Sequence, residues 1–135
     1  MRDEREAAPA REGGASPFAR ILSELERVCE GLETAVFFDE LGETIDLHSH
    51  LDPFSAKLVA AHHGVLFSSA SFRLEWLGAG PATLMEICAA NRDSVTIRVA
   101  EGYFMTVVVR AGSLSEALFA RISEVAAALR VEAGI

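Results

Sequence analysis

The 135-residue chain carries twenty acidic and twelve basic residues, a net charge of −8, with 50% of its residues hydrophobic and 24% charged. That size and composition describe one globular domain able to bury a core without disulfides, and the acidic balance without a basic stripe excludes recognition of nucleic-acid phosphates. Its apolar stretches are broken well before the roughly 18 residues of a membrane span, and the opening MRDEREAAPAREGGAS has no apolar core for a secretory signal, so a cytoplasmic protein is expected.

Residues 1–15 lack periodicity and read as a flexible charged tail, with a partner-binding arm as the sharper alternative. The domain follows over 16–131, leaving 132–135 as a short C-terminal tail. Ser16-Pro17 opens the first helix, the serine as cap and the proline where its missing N–H costs nothing. Phe18, Ile21, Leu22, Leu25, Val28 and Cys29 recur at three- and four-residue spacing along one face. Gly31 is expected to end the helix in a left-handed conformation.

Ala35–Phe38 reads as a strand, and Asp39-Glu-Leu-Gly42 as a hairpin loop with Gly42 at positive φ. The next strand, Glu43–Ser49, alternates: Ile45, Leu47 and Ser49 are assigned inward, and Thr44, Asp46 and His48 outward. Asp52-Pro53 starts the second helix, which runs to about Leu77. Its apolar residues are too many for one stripe, so the helix is expected to pack on two sides: its own sheet and a second subunit.

Gly78-Ala-Gly80-Pro81 ends that helix, and a three-strand meander follows over Thr83–Ala89, Ser94–Val99 and Tyr103–Arg110. Tight turns are placed at Asn91-Arg-Asp93 and Ala100-Glu-Gly102. In the middle strand Val95, Ile97 and Val99 oppose Ser94, Thr96 and Arg98; the last strand is apolar on both faces and belongs at the centre. Ser113-Leu-Ser-Glu116 matches a capping box and launches a final helix with Leu118, Ile122, Val125 and Leu129 inward. The fold class is therefore α+β: helix, two strands, helix, three strands, helix, with one five-stranded antiparallel sheet flanked by helices.

The element order, the Asp39-Glu-Leu-Gly42 loop and the Glu101-Gly102-Tyr103-Phe104 turn into an apolar strand resemble the roadblock/dynein light chain family over residues 17–131, its bacterial MglB and MglC types above all. The resemblance implies a cytoplasmic bacterial homodimer with paired sheet edges and adjacent central helices. It also implies a non-enzymatic regulator or adaptor of small Ras-like GTPases, or of another roadblock-type protein, in cell polarity or motility. The family brings no catalytic residues. His48-Ser-His50 and the acidic tail depart from its pattern.

No catalytic motif competes with that reading: G-x-S-x-G, HExxH and the phosphate loop are absent. Gly78-Ala-Gly80 is a lone GxG before a proline and reads as a loop. Asp39, Glu40 and Glu43 sit at a hairpin tip, where solvated charge is ordinary, and Arg73 reads as a helix-flank residue rather than a finger. His48 and His50, two apart on a strand, share a face and could hold zinc with one more ligand. His62 and His63 point about 100° apart on a helix. Surface histidines are the simpler reading, so no metal and no cofactor is assigned. Cys29 and Cys88 are placed on core faces, as buried free thiols before a disulfide.

The aromatic series Phe67, Phe72 and Trp76 reads as core or dimer contact. Interface candidates are Leu58, Val65, Leu66, Phe72 and Trp76 on the second helix, with Met85 and Ile87 on the strand after it. The rival is a small-molecule sensor, but Phe37, Ile45, Leu47, Ile97, Val99 and Phe104 are large enough to fill the interior such a module would keep open.

Overall fold

The computed structural model describes residues 16–135; the tail expected over 1–15 lies outside the described residues. Helix α1 (Pro17–Ser23) is capped by Ser16, whose Oγ accepts from the Ala19 N–H at 3.1 Å. The chain then tightens into a 3₁₀ segment, Glu24–Val28, rather than continuing as α-helix. Such tightening is common where a helix ends, and Arg121 Nη1 takes the Glu24 carbonyl at 3.1 Å. Cys29 is already extended at φ −151°. Gly31 is not left-handed, contrary to expectation. It is glycine because the chain passes so close to Ser113 that a methyl group there would strike the serine side chain.

Strands β1 (Leu32–Asp39), β2 (Thr44–Ser49), β3 (Leu84–Cys88), β4 (Arg92–Ala100) and β5 (Tyr103–Arg110) form one antiparallel sheet in the order β2-β1-β5-β4-β3. The doubly apolar β5 is central, as its sequence requires. The β1–β2 hairpin closes through Gly42 at φ 80°, and Asp39 Oδ1 accepts from the N–H groups of Leu41 and Glu43 at 2.9 and 3.0 Å. Arg92 and Asp93, expected in a turn, already belong to β4.

Helix α2 (Pro53–Trp76) begins at the Asp52 cap and lies on one face of the sheet. Helix α3 (Glu116–Ala133) covers the other with α1. Its cap is Ser115 rather than the box residue Ser113: Ser115 Oγ accepts from Leu118 N–H at 3.1 Å. The helix continues to Ala133 and ends at Gly134, left-handed at φ 74°.

On the α1/α3 face, Phe37, Val95, Ile97, Val99, Met105 and Val107 pack against Leu22, Leu25 and the α3 stripe of Leu118, Ile122, Val125 and Leu129. On the α2 face, Val36, Phe38 and Phe104 meet Ala56, Ala60 and Phe67.

Strand β2 departs from the alternation expected of it. Asp46 pairs with Phe37 and His48 with Ala35, which turns both toward α1. Asp46 is buried and receives a hydrogen bond from Ser16 Oγ, while Ile45 is exposed. Assigning polar residues outward assumes one covered face, and here α1 covers the second. Cys29 is buried and Cys88 is exposed on the β3 edge, so only one lies in the core; both thiols are free.

Candidate functional site

Helix α2 carries large apolar residues on the side turned away from its sheet. Ala56, Ala60 and Phe67 face inward, whereas Phe54 (75% exposed), Leu58, Val65 (68%), Phe72 and Trp76 (79%) lie uncovered on the opposite side. Their spacing, 54-58-(61)-65-(68)-72-76 with Ala61 and Ser68 between, runs in steps of four and three that alternate as far as Phe72 and end on a further four. Steps of that kind keep one seam in line over six turns of helix. Burial of such side chains is favourable by about 1.5–3 kcal/mol each, so a soluble helix ordinarily shows polar groups there.

The helix beneath the stripe is fixed by polar contacts. His63 bridges it to the sheet: Nδ1 donates to the Val59 carbonyl at 2.8 Å and Nε2 meets Ser94 Oγ at 2.9 Å. The Arg98 guanidinium stacks over Phe67 and Phe104 at 5.7 and 5.3 Å from their ring centres. Ser71 Oγ accepts from Ala82 N–H at 3.1 Å, holding the loop after α2 against the helix. Gly64 lets the backbone approach Phe38, whose ring would stand 3.1 Å from a Cβ at that position.

Among the described residues strand β3 pairs only with β4 and is an edge of the sheet. Met85 and Ile87, both half-buried, share its α2-side face, while Leu84, Glu86 and Cys88 occupy the other and are exposed. An exposed edge strand is a template for pairing with another chain, and Glu86 is the one charge on it.

A second constellation lies on the opposite face, at the other edge. His48 Nε2 donates to Glu26 Oε1 at 2.5 Å and His50 Nε2 to Glu26 Oε2 at 2.6 Å, and the ligating atoms of all three residues lie within 4.8 Å of one another. Burial alone would raise the Glu26 carboxyl, but hydrogen bonds from His50 and His48, with their charge, hold it below its ordinary 4.5. Two grooves also mark the surface. One of about 420 Å³ runs between α1 and α3 past Arg121, and one of about 310 Å³ runs beside Arg98; both are open to solvent.

No protein-family model and no curated protein matches the chain. Solved structures do. A Roadblock/LC7 domain from Streptomyces avermitilis superposes with a TM-score of 0.79 at 18% identity, over 87% of this chain and 98% of that one. MglB of Myxococcus xanthus gives 0.78 at 10% identity, over 93% and 100%, and the gliding protein MglB from Thermus thermophilus gives 0.73 at 15%, over 91% and 95%. The fold is the roadblock fold.

On this roadblock sheet the predicted interface residues fall into three groups. Leu58, Val65, Phe72 and Trp76 share the outer seam of α2; Leu66 sits on a flank, about 100° around the helix from buried Phe67. Met85 and Ile87 lie on the neighbouring edge strand. Phe67 does not belong with Phe72 and Trp76, from which the helical turn separates it; it is core. Arg73 is exposed on the last turn of α2, and Gly78 and Gly80 are loop residues at positive φ.

From sequence His63 was read as a surface histidine, which the structure corrects, and Arg98 and Glu26 were given no role. Arg98 and His63 carried a usable signal, since each is a polar residue on a face that must pack. Glu26 carried none, because its position on the 3₁₀ segment relative to β2 is a tertiary fact.

Proposed function

We propose that the chain is a non-enzymatic regulator or adaptor that works as a homodimer and binds a small Ras-like GTPase or another roadblock-type protein in a bacterial polarity or motility system. The observation that carries this reading is the uncovered seam of α2 beside the open β3 edge. A second copy would cover both at once, since a two-fold axis brings like helix against like helix and like edge against like edge. The fold shared with MglB of M. xanthus and the gliding protein of T. thermophilus supports the motility setting. The class of GTPase partner rests on the resemblance of this element order to the roadblock family.

Binding rather than chemistry suits the surface. Any effect on nucleotide hydrolysis would come from ordering the switch loops of the GTPase, which needs no donated arginine. Exposed aromatic anchors such as Phe72 and Trp76 supply binding energy when buried. The excess of acidic residues favours a basic partner surface.

Two measurements test the reading. Light scattering at micromolar concentration should give twice 14.5 kDa, and a value of 14.5 kDa would remove the dimer. Affinity capture of the full chain from native lysate should return a Ras-like GTPase or a second roadblock-type protein in stoichiometric amount. Recovery of the chain alone would remove the regulator.

A further inference from the structure

We propose that Glu26, His48 and His50 form a binding site for a divalent first-row transition metal, zinc foremost, with a fourth position open to solvent. The site lies on the α1/α3 face of the sheet, away from the α2 seam, and stands independently of the dimer and of any GTPase.

The backbone aligns the donors. His48 is in β2, and His50, one residue beyond the strand, keeps its register because its N–H donates to the Glu33 carbonyl at 2.8 Å. Residues two apart on extended chain share a face, so the two imidazoles stand side by side, 5.8 Å between ring centres and 74° between planes. Glu26 arrives from the 3₁₀ segment, which is anchored by fully buried Leu25 and by Arg121 on the Glu24 carbonyl. The side chains are partly accessible, with relative exposures of 36% for Glu26, 25% for His48 and 57% for His50, so an ion can enter without unfolding.

The chemistry matches. Both Nε2 atoms aim at one carboxylate, so the two imidazole lone-pair directions converge on the space in front of it. Zinc holds N and O donors at about 2.0–2.2 Å, which sets tetrahedral ligand atoms roughly 3.4 Å apart. The three donor atoms already lie within 4.8 Å of one another, so insertion requires that the carboxylate withdraw by about an ångström from its present hydrogen bonds while the more widely spaced donors close toward the ion. Each Nε2 then releases to solvent the proton it now directs at Glu26, and the freed nitrogen lone pair goes to the metal. Two imidazoles and one carboxylate select zinc, cobalt or nickel over magnesium and calcium, which prefer all-oxygen shells. Three protein ligands leave one position for water.

The test is titration of the tag-free, metal-stripped full chain with zinc against a chromophoric chelator, alongside cobalt(II) as a spectroscopic probe. One equivalent should bind, and the cobalt form should show the intense visible absorption of a four-coordinate site. Glu26→Gln and His48→Ala should each weaken zinc binding by more than about a hundredfold, beyond the loss of an outer-shell partner. His50→Gln, at the most exposed ligand, gives the same reading should His48→Ala fail to fold. Exposed His62→Ala and Cys88→Ser should leave affinity unchanged. Binding below one equivalent, binding that survives Glu26→Gln and His50→Gln, or binding abolished by Cys88→Ser would each overturn the site and leave a hydrogen-bonded ion-pair trio in its place.

Discussion

Against α1 and α3 the sheet buries Phe37, Met105, Val107 and Val109 beneath five large aliphatic side chains, Leu22, Leu25, Leu118, Ile122 and Leu129, whereas α2 meets the opposite face with Ala56, Ala60 and Phe67. The strands change with the helices. On the α1/α3 side β4 presents Val95, Ile97 and Val99; on the α2 side it presents Ser94, Thr96 and Arg98. The hydroxyls there are mostly paired, Thr96 with Thr106 at 2.9 Å and Ser94 with His63 at 2.9 Å, while buried Thr34 Oγ1 has no partner among the described residues. The first layer is a core in the ordinary sense. The second is a thin spacer that sets a helix close to the sheet and turns its large apolar residues outward. Hydrophobic content alone therefore does not locate a core; where the large side chains point does.

Cutting into the thick layer should have the largest effect. Phe37 is fully buried between Phe18 and Tyr103, with ring centres at 5.4 and 6.1 Å. Phe37→Ala is expected to cost about 3–5 kcal/mol in urea unfolding, combining lost transfer free energy with a cavity that α1 and α3 cannot close. A cost under about 1 kcal/mol would mean that this face is no more of a core than the other.

The outer seam should respond in the opposite way. Val65→Asp places a charge where the monomer is already open to water, so the circular dichroism spectrum should be unchanged. The scattering mass should fall from twice 14.5 kDa to 14.5 kDa, because an unpaired charge buried between two seams costs several kcal/mol. A variant that stays dimeric would put the contact elsewhere, and one that unfolds would show the seam to be covered within the chain.

Gly64→Ala probes how thin the second layer is. Replacing a mid-helix glycine should gain up to about 1 kcal/mol of helix propensity. Overpacking against the fully buried Phe38 ring should cost about 1–3 kcal/mol, since a ring at 3.1 Å has to yield and has nowhere to go. A net loss of about 1 kcal/mol is expected in the same urea assay. A net gain would show that α2 can lift from the sheet without penalty.

These contrasts also explain what the sequence disclosed. Caps and turns are local chemistry, so Ser16-Pro17, Asp52-Pro53, Gly42 and Gly102 marked element boundaries correctly, and the apolar run of β5 placed it at the centre. The excess of apolar positions on α2 was equally visible. Face assignment on β2 failed because alternation says that two sides differ, not which side is covered; α1, distant in the chain, decides that Asp46 and His48 turn inward. For the same reason His48 and His50 were visible as a pair while Glu26 was not. Ser115 displaced Ser113 as cap because the close approach of Gly31 holds Ser113 beside it.

The smallest expected effect separates the two cysteines by burial, Cys29 in the α1/α3 core and Cys88 on the open β3 edge. Burial raises the Cys29 thiol above its ordinary 9.0, partly offset by its hydrogen bond at Gly31 and the charge of Arg110. The folded state thus keeps its proton at a pH where the unfolded chain has lost it. This contribution is whole below 9.0 and is lost as pH rises through the raised value, so the urea midpoint should decline across that window. Cys29→Ala should remove that part of the decline. At neutral pH an alkylating agent should label exposed Cys88 in the native chain and reach Cys29 only on unfolding. Equal labelling of both would mean that the core between the sheet and α1/α3 opens as readily as the exposed β3 edge.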